Sequence, residues 1–135
     1  MTNNPSPSQH VFENHQIKVE IVDGIMHAYY KPGLKLTLED AKLIVYEKLK
    51  LCNGKDYPFV IHDGGVVSMD REARVYFSSD EGTKGISVAA FIEASVFSKM
   101  LINFFLKITK PKVKSKAFGN VEEALVWIRQ QLGNQ

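Results

Sequence analysis

Pro58-Phe59-Val60-Ile61-His62-Asp63-Gly64-Gly65 is the stretch on which the architecture turns. The run from Pro58 to Ile61 has none of the polar alternation of a strand with one wet face. It reads instead as a strand covered on both sides, which is typical of parallel strands under helices. His62-Asp63-Gly64-Gly65 then stops it. A second stretch, Ile86-Ser87-Val88-Ala89-Ala90-Phe91-Ile92, has the same character, with small and β-branched residues throughout. The two are expected side by side, pointing the same way, at the centre of one sheet.

Toward the N-terminus, Ile17, Val19 and Ile21 alternate with Lys18 and Glu20, and Ile25 to Tyr30 continues the strand pattern after Asp23-Gly24. Asp-Gly between two such runs predicts a tight β-hairpin. Thr37, with Asp40 three residues on, forms a capping box for a helix whose apolar stripe is Leu38, Ala41, Val45, Leu49 and Cys52. Asn53-Gly54 closes that helix through a residue able to take positive φ.

Toward the C-terminus, a short helix is expected from Asp70 to about Ser79. After the strand Ile86–Ile92, a third helix from about Ser95 to Ile108 gathers Phe97, Met100, Leu101, Phe104, Phe105 and Ile108 on one face. Lys110-Pro111 ends it. Val113 to Phe118 reads as an edge strand guarded by Lys114 and Lys116. Asn120 and Glu123 cap a last helix with the stripe Val121, Ala124, Leu125, Ile128 and Leu132. The order β-β-α-β-α-β-α-β-α implies an α/β fold: a mixed sheet with parallel central strands and helices packed on it. Residues 1–15 read as a polar, flexible tail and 16–135 as one domain.

From about Gln16 to Leu132 this order resembles the STAS (SpoIIAA-like, anti-sigma-factor-antagonist) domain. The local features that carry the resemblance are the strand ending in Asp63, the loop Gly64-Gly65-Val66-Val67-Ser68-Met69-Asp70 before a short helix, and the closing helix with Glu122-Glu123-Ala124-Leu125-Val126-Trp127-Ile128. The resemblance implies a non-catalytic regulatory domain that binds a partner protein, switched by phosphorylation of a serine or threonine after an acidic residue. Asp70 matches the acidic position. Arg71-Glu72-Ala73 stands where the family has its Ser-Ser-Gly-like run, leaving Ser68 as the nearby hydroxyl.

The residues point to the same loop. It leaves the carboxyl end of a central parallel strand, where open α/β sheets place ligands, and amides at a helix start can hold an anion. Asp63, Gly64, Gly65, Ser68 and Asp70 are therefore the candidate binding residues. The plainer reading makes Ser68 or Asp70 an N-cap, worth about 1 kcal/mol without any function. On the third helix, Ile102 and Leu106 fall opposite the core face near Lys99, which marks a candidate homodimer or partner interface. A lipid surface flanked by Lys107, Lys110, Lys112, Lys114 and Lys116 is the alternative, as is a small lipophilic ligand lodged against Phe97, Phe104 and Phe105.

Other classes fit less well. A net charge of +2 from 17 basic and 15 acidic residues argues against nucleic acid. Ile86 to Ile108 is apolar enough to resemble a membrane span, but Glu93 and Lys99 would each cost roughly 2.5–3.5 kcal/mol at its centre. Cys52 has no partner for a disulfide, which suits the cytoplasm. His10, His15, His27 and His62 have no metal-ligand spacing, and no catalytic or cofactor motif is present. No metal, no cofactor and no enzymatic activity are expected.

Overall fold

In the computed structural model, residues 10–62, 64–92 and 113–133 are described. The elements along the chain are β1 (Val11–Glu13), β2 (Ile17–Val22), β3 (Ile25–Tyr30), β4 (Lys35–Leu36), α1 (Leu38–Cys52), β5 (Tyr57–His62) and β6 (Ser68–Met69). They continue as α2 (Arg71–Ser78), α3 (Asp80–Thr83), β7 (Ile86–Ile92), β8 (Lys114–Phe118) and α4 (Val121–Gly133). The third helix of the sequence reading, with Lys99, Ile102 and Leu106, lies outside the described residues, as does Asp63.

Asp23 and Gly24 both take left-handed backbone, at φ 52 and 77. A two-residue hairpin connection needs that conformation to match strand twist. It sets β2 against β3 with Ile17 opposite Tyr30 and Val22 opposite Ile25. From β3 the sheet grows by parallel pairing through β5 and β7 to β8, in the order β1-β2-β3-β5-β7-β8. Val60 faces Ala90 across the central pair, so the two apolar runs are parallel neighbours, as expected. Pro58 has no N–H to give the ladder, and the register shifts between Tyr57 and Phe59 around it.

Alternation along the strands creates two cores. Ile17, Val19, Met26, Ala28 and Phe59 share one face with Ile44, Leu51 and Cys52 of α1. Val60, Val88 and Ala90 share the other with Ala124, Trp127 and Ile128 of α4. Each fully buried large side chain contributes roughly 1.5–3 kcal/mol of transfer free energy, and Ile17, Met26, Val60 and Ile128 are all 0% exposed.

The helix caps form as the sequence requires. Thr37 Oγ1 accepts from the Asp40 amide at 3.3 Å, and the Thr37 amide donates to Asp40 Oδ2 at 3.0 Å. Asn53, at φ 48, closes α1. Asn120 Oδ1 accepts from the Glu123 amide at 2.9 Å at the start of α4.

Three expectations are corrected. Val11–Glu13, placed in the flexible tail, pairs antiparallel with β2, and Glu13 accepts from Lys31 Nζ at 2.8 Å. Three residues are too few for alternation to register. The α1 stripe is wider than expected and takes in Ile44, Lys48 and Leu51, because the helix packs against both the sheet and α2. In α4, Trp127 is buried against Phe118 at a centroid distance of 5.5 Å while Leu132 stays 40% exposed.

Candidate functional site

The loop after β5 is held by backbone contacts. Gly64 (φ 68) lies against the end of β3, where a Cβ would overlap the carbonyl oxygen of Tyr30. The carbonyl of Gly65 accepts from the Gly33 amide at 3.0 Å. The amides of Val67 and Ser68 donate to the Leu34 carbonyl at 2.8 and 3.3 Å, and the amide of Asp70 donates to the Leu36 carbonyl at 2.9 Å. This pairs β6 with β4 in parallel.

Two readings of the loop change as a result. Its amides at 67, 68 and 70 are engaged by β4 and neighbouring backbone, so they do not form the expected anion cradle. Ser68 is a strand residue and no N-cap, while Asp70 holds the N-cap position of α2 without a side-chain cap hydrogen bond. Ser68 and Asp70 are both exposed, and Val67 between the glycines and Ser68 is 44% exposed. The loop therefore presents an apolar, a hydroxyl and an acidic side chain on fixed backbone.

On the opposite face of the same strand ends sits a cluster of aromatic rings. His27 and Tyr29 are two apart on β3, and Tyr29 is the register partner of His62 on β5. The Tyr29 and His62 rings stack at 4.2 Å, and His27 Nδ1 lies 3.2 Å from His62 Nε2. One ring must donate and the other accept, so at least one nitrogen of the pair is unprotonated. Burial, then the charge of His27, pushes His62 down to about 4. Burial also lowers His27, against the pull of Glu20. Among the described residues, no three His, Cys, Asp or Glu side chains are placed to hold a metal.

This pairing has a pH signature. Between pH 6.5 and about 4 the unfolded chain takes up a proton that native His62 refuses, so stability is present above pH 6.5 and drains away across that window. With allowance for solvent access, the loss is about 1 kcal/mol. Urea unfolding at pH 7 and pH 4.5 should show it, and His62→Phe, which keeps the stack but cannot titrate, should reduce the difference. An unchanged difference would show that the titration of His62 does not drive the loss of stability on the acid side.

Between the first face of the sheet and the helices α1 and α2 lies a partly open cavity of about 130 Å³, lined mainly by apolar side chains such as Ile44, Phe59, Ile61 and Phe77 and reaching Phe91 of β7. Lys48 of α1 reaches its wall and is only 5% exposed. Its Nζ donates to the carbonyl of Gly82 in α3 at 2.7 Å. Burial pushes its pKa down to about 8.

The sequence profile of a domain of unknown function, DUF7793, matches residues 19–132, from β2 to the end of the last helix. The chain belongs to the DUF7793 family. No curated protein matches it in sequence. In three dimensions this DUF7793 domain is similar to an uncharacterized protein of the DUF3478 family from Shewanella loihica PV-4, whose crystal structure is described as having a SpoIIAA-like fold. The TM-score is 0.62 at 15% identity, over 86% of this chain and 96% of that one. The fold of the DUF7793 domain is therefore SpoIIAA-like. No helix among its described residues is long and apolar enough to cross a membrane.

The sequence reading found the loop of the DUF7793 domain but missed its other polar features. The parity of His27 and Tyr29 puts them on one face, yet nothing in the sequence reports the β3–β5 register that brings His62 to them. Lys48 had a signal: four residues after Ile44 and four before Cys52, it falls inside the buried stripe of α1.

Proposed function

We propose that this DUF7793 domain is a non-catalytic, cytoplasmic interaction module that binds a partner protein through the loop from Gly64 to Asp70. One observation carries this reading. Val67, 44% exposed, is displayed beside Ser68 and Asp70 on backbone already tied to Leu34 and Leu36. A preorganised apolar side chain with polar neighbours binds without the cost of ordering a loop. The single buried cysteine fits a reducing compartment.

The test compares wild type with Val67→Asp in affinity capture from the source cell, and Leu43→Asp, on the outer face of α1, serves as the control. The expected result is a partner lost by Val67→Asp and kept by Leu43→Asp, with unchanged melting temperatures. Light scattering on the same samples shows whether the partner is a second copy. If both variants retain the same partners, the loop is not the interface.

A second reading, uptake of a small lipophilic molecule, is favoured by the apolar cavity beneath α1 and α2.

A further inference from the structure

The cavity beside Lys48 has an uneven charge balance. Its described lining is apolar apart from a few groups, among them the cations Lys48 and Arg74, and it includes no Asp, Glu or His. Arg74 is committed to the carbonyl of Met69, to which its Nη1 donates at 2.7 Å. Lys48 is placed differently. Of the three protons an ammonium can donate, one goes to the Gly82 carbonyl. No ion pair forms between Lys48 and a carboxylate among the described residues. A buried cation in apolar surroundings is compensated best by an anion brought into the same low-dielectric space.

The dimensions suit a small molecule that could bring that anion. About 130 Å³ is close to the roughly 150 Å³ of engineered apolar cavities that accept benzene. The apolar part of a ligand would be one aromatic ring or a short hydrocarbon chain. We propose that this cavity binds a compact apolar carboxylate, with its ring or chain against Ile44, Phe59 and Phe77 and its carboxylate on Lys48 Nζ. The proposal rests on the lipophilic-ligand reading and adds the acidic group to it. Burial moves Lys48 toward neutrality even against the opposing pull of Cys52 and of the Glu81 carboxylate, which comes no closer than a through-space influence.

The competing role for Lys48 is only to tie α1 to α3 through Gly82, and a purely structural lysine would not distinguish an anion from a neutral molecule of the same shape. The experiment titrates benzoate and benzyl alcohol into wild type and Lys48→Met at pH 7, followed by calorimetry and by shifts of the Ile44 and Ile61 methyl resonances. Benzoate should bind wild type at least about tenfold more tightly than benzyl alcohol, in line with a charge-assisted contact. Lys48→Met should keep benzyl alcohol within about twofold and lose that benzoate preference. Retained binding of the alcohol also shows that the variant is folded. If benzyl alcohol binds wild type but benzoate binds no better, the lipophilic reading stands and the carboxylate proposal falls. If neither probe moves the Ile44 and Ile61 resonances, both fall.

Discussion

Gly64→Ala should lower the unfolding free energy by about 3 kcal/mol or more, as measured by urea denaturation. Left-handed backbone alone costs an alanine roughly 1 kcal/mol. Most of the loss is steric, because the new methyl would overlap the carbonyl oxygen of Tyr30. That carbonyl cannot easily retreat. Tyr30 ends a central strand opposite Ile17, and the next amide, Lys31, donates to the Gln16 carbonyl at 2.8 Å. Gly65→Ala supplies the comparison. Its φ is also positive, at 96, but a Cβ there meets nothing nearer than Pro32 Cα at 3.8 Å. Only the conformational cost remains, about 1 kcal/mol. Equal losses for the two variants would mean that the loop is not packed on the end of β3. Because the loop carries Val67 and Ser68, Gly64→Ala should also weaken partner binding, while Gly65→Ala should do so less.

Lys48→Met should change how stability depends on pH. In the native protein Lys48 gives up its proton near pH 8, against an ordinary 10.5. Between those values the unfolded chain holds the extra proton, so wild-type stability rises with pH as the burial penalty is relieved. Methionine has a similar stem and no charge, so the variant should lack this rise. The stability difference between the two proteins should swing by about 2–3 kcal/mol between pH 7 and pH 10, in favour of the variant at the lower pH. The lost hydrogen bond from the charged Nζ to Gly82 offsets part of the gain at pH 7, by about 1.5–3 kcal/mol. Urea midpoints at the two pH values measure the swing. Parallel behaviour would place Nζ in contact with solvent.

The three-dimensional arrangement also accounts for what the histidines do. In the sequence His27 falls within the strand run Ile25 to Tyr30, and His62 stands beside Asp63-Gly64-Gly65. Neither position foretells that a parallel register of β3 on β5 would bring their ring nitrogens to 3.2 Å. Trp127 is a similar case, since its burial depends on Phe118 of β8 arriving beneath α4.

The hairpin at Asp23-Gly24, the capping box of Thr37 with Asp40, the stop at Asn53 and the doubly buried runs around Val60 and Val88 were all legible in the residue order. Each is encoded within a few neighbouring residues, by permitted φ and by the period of apolar side chains. The position of the loop at Gly64 and Gly65 followed from the same rules. The fate of its amides, the pairing of β1 and β6, the stacked rings and the cavity wall at Lys48 did not. Those depend on strand register and on how α1 settles against its neighbours, and such contacts between distant segments are chosen by the packing of the whole chain.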